Sequence, residues 1–187
     1  MLTPTQEKWL EHLNDMDSVE IYPADSKARE KFLEIKRRIQ SELGEEVAIE
    51  HRGSTSLGIS GQGELDVYIP VLLKQFDEIV GAVERIFGKP RSLYPLERAR
   101  FVTYLDKTKV ELFVINEQSS GWIDCCRFQR YLKGHPDVLE AYRILKETGR
   151  GLSTQKYYRR KIEFINEVLE RFIDINDVKQ SLPEEND

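Results

Sequence analysis

The sequence predicts a mixed α/β (α+β) protein: a small mixed central sheet flanked by helices, with a helical C-terminal portion. Three observations carry that expectation. "EVAIEHR", "ELDVYIPV", "ARFVTYL" and "KVELFVI" are rich in β-branched and aromatic residues and are bounded by turn residues. Between the second and third of them, Phe76, Ile79, Val80, Val83 and Phe87 recur at helical spacing. From Trp122 onward the pattern is helical throughout.

Each element has a local reason. Thr3, Pro4 and Gln6 form a capping-box start for a first helix carrying Trp9, Leu10, Leu13 and Met16. "SVEIYPAD" reads as a short extended segment, after which Asp25 or Ser26 can cap a second helix with Ala28, Phe32, Ile35 and Ile39 on its apolar face. Gly44 suits that helix's C-terminus. The strand "EVAIEHR" ends at Gly53, and "ELDVYIPV" follows the turn. Gly88 and Pro90 stop the amphipathic helix. "DKTK" reads as the hairpin turn between the last two strands. One later helix holds Phe128, Tyr131 and Leu132, and the next starts behind Pro136 and Asp137. After "GRG", a long helix carries Tyr158, Ile162, Ile165, Leu169 and Phe172. The expected organisation is a helical extension over residues 1–18 and one domain over residues 19–175, ending in a disordered tail over residues 176–187. Within the domain the sheet part covers about 19–116 and the helical part about 120–175.

Composition narrows the function classes. At 187 residues the chain is long enough to bury a core. It has no stretch approaching the roughly 20 apolar residues of a membrane helix. The N-terminus lacks the uninterrupted apolar region of a signal peptide, so the expectation is a cytoplasmic protein that does not enter a membrane. A net charge of −5 argues against an extended nucleic-acid surface. It leaves room for a small nucleotide bound through a metal. Cys125 and Cys126 are adjacent, which suits neither a disulfide framework nor a metal-ligand pair, and they read as buried thiols.

The chemistry concentrates between Gly53 and Glu111. Side chains alternate along a strand, so Glu64 and Asp66 share a face, about 6.6 Å apart at their Cα atoms. Two such charges repel by roughly 3 kcal/mol at an effective dielectric of about 20. A divalent cation removes that repulsion, and Mg²⁺ takes one or two carboxylates while leaving positions for phosphates. The plainer reading is a solvated strand face formed by Glu64, Asp66 and Tyr68. In "KVELFVI" both faces are apolar except for Glu111, so this strand reads as buried on both sides. Its carboxylate then needs a metal or a salt bridge to Lys109, Arg98 or Arg100. The turn Gly53, Ser54, Thr55 and Ser56 offers close backbone approach and hydroxyls suited to phosphate oxygens.

These features together resemble a known signature. Gly53-Ser54, nine intervening residues, Glu64-Leu65-Asp66-Val67 and the later Glu111 resemble the nucleotidyltransferase superfamily with the polymerase-beta-like fold. More closely, "VEIYPAD", "IEHRGSTS", "RFQRYLKGHPDVLEAYRILKE" and "KYYRRKIEFINEVL" resemble the GrpB family (also called uncharacterised protein family 0157) from Val19 to about Phe172. The chain departs from the family pattern in two places. "GISGQGELDV" stands where the family has a "PGLAAKPIIDI"-like run, so Glu64 replaces an apolar residue. Glu111 and Phe113 stand where a His-x-His is usual. Both changes move the sequence towards the three-carboxylate pattern of active nucleotidyltransferases, although Glu as the first acid is unusual there.

The resemblance implies a sheet of the nucleotidyltransferase type and a metal-dependent enzyme. It would move a nucleoside monophosphate from a nucleoside triphosphate to a small-molecule or protein acceptor. Glu64, Asp66 and Glu111 would be the catalytic and metal-ligating acids, with two Mg²⁺ (or Mn²⁺) ions as cofactor. Gly53, Ser54, Thr55 and Ser56 would bind the triphosphate. Cations for the phosphates are available at Arg98 and Arg100, and on the last helix at Lys156, Arg159 and Arg160; of these Arg100, Lys156 and Arg160 are the candidates. The alternatives are a catalytically inactive nucleotide- or phosphate-binding module and a protein-interaction module on the same fold. His51 reads as a core histidine sharing a face with Val47 and Ile49.

Overall fold

The computed structural model describes residues 1–180, with side chains to residue 171; of the tail expected from residue 176, residues 181–187 lie outside the described ones. Seven helices and a five-stranded sheet are present among the described residues. The chain divides into two compact units, Ile21–Ile123 and a second made of Met1–Glu20 with the chain from Asp124 onward.

The sheet unit begins in extended chain, where Tyr22 bridges Gly61. Asp25 then turns the chain. Its Oδ1 accepts from the Lys27 N–H at 2.9 Å and its carbonyl from the Ala28 N–H at 3.1 Å, which starts α2 (Ala28–Leu43). A short strand β1 (Glu50–Arg52) leads into a single helical turn α3 (Gly53–Ser56) and then β2 (Glu64–Val71). Helix α4 (Phe76–Phe87) crosses back to β3 (Ser92–Tyr94), β4 (Arg98–Leu105) and β5 (Thr108–Asn116). Asp106 and Lys107, both with positive φ, close the β4–β5 hairpin in two residues, as a turn that follows the strand twist must.

The strands lie in the order β1-β2-β5-β4-β3. Only β2 and β5 pair in parallel, with Glu64 opposite Lys109, Asp66 opposite Glu111 and Tyr68 opposite Phe113. One face of the sheet is the core. Leu65, Val67, Ile69, Phe101, Val110, Leu112 and Val114 pack there under Ile35 and Ile39 of α2 and Phe76 and Val83 of α4. The opposite face carries Glu64, Asp66, Glu111, Lys109 and Arg100. No described helix is long and apolar enough to cross a membrane.

In the helical unit, Thr3 caps α1 (Pro4–Glu11) by the expected capping box with Gln6. The helix stops short of Leu13 and Met16, because Asn14 accepts from the Met16 N–H at 2.8 Å and donates to Asp17, folding the chain into a turn. Helices α5 (Ser120–Gly134), α6 (Pro136–Glu147) and α7 (Thr154–Gln180) follow. Arg159 of α7 forks onto the Glu7 carboxylate at 2.6 and 2.8 Å. Tyr157 and Val168 are buried on α7, while Tyr158, Ile162, Ile165 and Leu169 of the expected stripe are half-buried.

The Gly-Ser-Thr-Ser turn takes the form of a single helical turn. Two further local expectations are corrected. The strand "EVAIEHR" pairs only over Glu50–Arg52. Cys125 and Cys126 are half-buried rather than buried, and no disulfide joins them.

Leu112 lies fully buried at the centre of β5, in register with Val67 and Phe101 on either side. Truncation to Ala is expected to cost about 3 kcal/mol, as cavities in close-packed cores do. Urea denaturation measures it, and a loss below about 1 kcal/mol would contradict the placement of this strand.

Candidate metal and phosphate site

The parallel register of β2 with β5 builds the site. Residues opposite one another in a sheet share a face, so pairing Asp66 with Glu111 and Glu64 with Lys109 sets three acids and a lysine side by side. Glu64, Asp66 and Glu111 each bring one carboxylate oxygen within 4.8 Å of the others. Glu64 and Asp66 are half-buried rather than solvated, and Glu111 is buried, as expected for a strand covered on both sides.

Two cations lie among the acids. Lys109 Nζ is 2.6 Å from Glu64 Oε1 and 2.6 Å from Glu111 Oε1. Arg100 Nη2 donates to the same Glu111 oxygen at 2.7 Å. Of the three salt-bridge partners considered from the sequence, Lys109 and Arg100 are in place. Arg98 instead lies over the Tyr94 ring, 5.0 Å from its centroid. Burial pushes the Glu111 carboxyl up, but the hydrogen bonds and charges of Lys109 and Arg100 outweigh it and hold the group below its ordinary value. Burial likewise favours a neutral Lys109, and the two glutamates override it and raise the ammonium's pKa.

Gly53 joins the turn to the acids. Its φ is +71°, and a Cβ there would lie 1.8 Å from Asp66 Oδ2. Only glycine lets the backbone pass this close to the carboxylate. The hydroxyls of the turn are engaged locally or turned to the other side. Thr55 Oγ1 meets His51 Nε2 at 2.9 Å, and Ser56 Oγ donates to the Gly53 carbonyl at 2.9 Å. Ser54 is buried and lines a cavity of about 20 Å³ with Ala28, Leu65 and Thr108, room for one water. His51 is half-buried rather than in the core, and it stacks on Phe32 with centroids 4.9 Å apart. Lys156 and Arg160, by contrast, are exposed on α7 in the helical unit, with Arg160 Nη2 donating to Thr148 Oγ1 at 3.4 Å.

An aromatic cluster escaped the sequence reading. Tyr68 stacks on Phe113 at 4.6 Å and meets Trp122 at 5.5 Å, and the Arg52 guanidinium lies over Trp122 at 4.8 Å. The signal was available. Tyr68 follows Asp66 by two residues and Phe113 follows Glu111 by two, so alternation puts both rings on the acid face.

The donor set fits a hard divalent cation. Oxygens about 2.1 Å from one Mg²⁺ lie up to about 4.2 Å apart, so small side-chain rotations would bring these three carboxylates onto one ion. All three donors are of the oxygen type that Mg²⁺ and Mn²⁺ take.

Two outcomes test this description. Gly53→Ala should destabilise the fold by roughly 1–3 kcal/mol, because it adds strain at a positive φ and displaces the Asp66 carboxylate. Wild-type stability in Gly53→Ala would contradict the close approach. Glu111 binds its proton less readily when folded than when unfolded, so its contribution is complete above its ordinary value of 4.5 and is lost as pH falls below that. The acid limb of the stability–pH curve should therefore be shallower in Glu111→Gln, which denaturation at stepped pH measures.

Comparisons with known proteins agree with this architecture. No curated protein matches the chain. The fold is similar to the crystal structure of the conserved protein GrpB from Enterococcus faecalis, with a TM-score of 0.62, 19% identity, and coverage of 82% of this chain and 99% of that one. A family model described as GrpB protein matches residues 18–171, most of the chain and both units. The chain belongs to the GrpB family.

Proposed function

We propose that this chain is a metal-dependent nucleotidyltransferase that moves a nucleoside monophosphate from a nucleoside triphosphate to an acceptor, either a small molecule or a protein. The supporting observation is the meeting of Glu64, Asp66 and Glu111 from two adjacent parallel strands, next to a glycine whose backbone touches Asp66.

In this reading the three carboxylates hold Mg²⁺ or Mn²⁺. The ion supplies charge neutralisation at the phosphates and makes an acceptor hydroxyl easier to deprotonate. The chain's own residues bind and orient. Arg100, whose guanidinium reaches Glu111, is a cation beside the acids that phosphate oxygens would pair with. Gly53 lets the Asp66 carboxylate sit where a side chain would otherwise displace it, which keeps that acid in place for the ion. The acceptor oxygen bonds to the α-phosphorus, pyrophosphate leaves with the electrons of the broken P–O bond, and the acceptor proton passes to solvent or to a carboxylate.

A second reading, nucleotide or phosphate binding without transfer, rests on the ion pairs of Lys109 and Arg100. They already neutralise part of the acid cluster.

Incorporation of an α-labelled nucleotide tests the first reading. Asp66→Asn should lower it at least about 100-fold, equivalent to about 2.7 kcal/mol of barrier, with the melting temperature within a few degrees of wild type. Undiminished incorporation by Asp66→Asn would defeat the assignment. Mn²⁺-dependent thermal stabilisation by nucleoside triphosphates, without incorporation in any form of the protein, would favour binding alone.

A further inference from the structure

A lysine already occupies the seat that the proposed metal needs. Lys109 is the residue of β5 in register with Glu64, and its ammonium lies 2.6 Å from an oxygen of Glu64 and 2.6 Å from an oxygen of Glu111. Those are two of the three carboxylates that would take a divalent ion. We infer that Lys109 is an internal competitor for the cation: its ammonium holds Glu64 and Glu111 together when no ion is present, and a divalent ion must displace it to bind. This inference rests on the metal reading of the acid cluster.

The geometry explains why the competition is specific to this lysine. Arg100 reaches only Glu111, whereas Lys109 bridges both glutamates. An ammonium is a compact point charge with three donors on a flexible stem, so it can satisfy two carboxylates and also swing away. Its side chain retains 32% exposure, which leaves a route out towards solvent. Displacing Lys109 leaves the carboxylates with one more net negative charge, which favours a divalent ion. The ammonium therefore tunes affinity. It lets the acids sit close together in the ion-free protein and weakens metal binding by the cost of breaking two ion pairs.

The test is a Mn²⁺ titration followed by electron paramagnetic resonance, on the wild type and on Lys109→Met. Lys109→Met should bind Mn²⁺ at least ten-fold more tightly. Without metal it should melt below the wild type, and saturating Mn²⁺ should raise its melting temperature by more than it raises the wild type's. Equal affinity within two-fold overturns the competition while leaving the metal site standing. Absence of Mn²⁺ binding to either protein overturns the metal reading and the competition with it. Should Lys109→Met fail to fold, the wild type alone decides the matter. Reductive methylation of Lys109, quantified by mass spectrometry, should accelerate when Mn²⁺ releases the ammonium. An unchanged or slower rate overturns the inference.

Discussion

In a parallel strand pair, residues in register stand on the same face, and the pairing of β2 with β5 makes Asp66 the neighbour of Glu111. Every feature of the candidate site follows from that register. A slip by one residue would turn Glu64 and Asp66 into the core and bring Leu65 and Val67 out. The core prevents it, because Leu65, Val67, Val110 and Leu112 are all essentially inaccessible on the opposite face. Hydrophobic burial on one side of the sheet thus fixes the positions of the charges on the other. Like charges held this closely repel, and Lys109 and Arg100 offset the repulsion within the same face.

The turn between β1 and β2 depends on the same register. Arg52 pairs with Asp66 at the end of the β1–β2 ladder, so the chain leaves β1 beside the Asp66 carboxylate. Gly53, the next residue, has to pass it at a positive φ without a Cβ. The single helical turn that follows directs Thr55 towards His51 and Ser54 towards the core-side cavity. The small residues of this turn are thus explained first by close packing against an acid and a half-buried histidine. Any contact with phosphate comes from a surface whose shape that packing has already set.

Much of this was legible in the sequence because it depends on local alternation. The strand pattern of "ELDVYIPV" gave its bounds and both faces, and the two-sided apolar character of "KVELFVI" marked it as central with one buried acid. What alternation does not carry is pairing. Nothing local distinguishes parallel from antiparallel neighbours, so Lys109 could be suspected as a partner of Glu111 but not seen to bridge Glu64 as well. Strand β3 was missed because its three residues, Ser92–Tyr94, are too few to show a period. The first helix was drawn too long because Leu13 and Met16 fit helical spacing, while the competing hydrogen bond of the Asn14 side chain carries no periodic signal. Lys156 and Arg160 fit the charge that a phosphate demands, but charge alone does not say where a helix stands.

The ion pairs also bear on how Glu111 would act in the proposed reaction. A general base works best when its pKa lies near the working pH. Glu111 is held on the other side of that requirement, below the ordinary carboxylate value, by two cations that share one of its oxygens. Such a group is a weak proton acceptor and a good anionic ligand. Releasing Lys109 would raise its basicity only in part, since Arg100 remains. Of the two roles open to Glu111 in the proposed chemistry, holding a cation is therefore the one its surroundings favour. The acceptor's proton is better lost through a lowered acceptor pKa than through capture by this carboxylate.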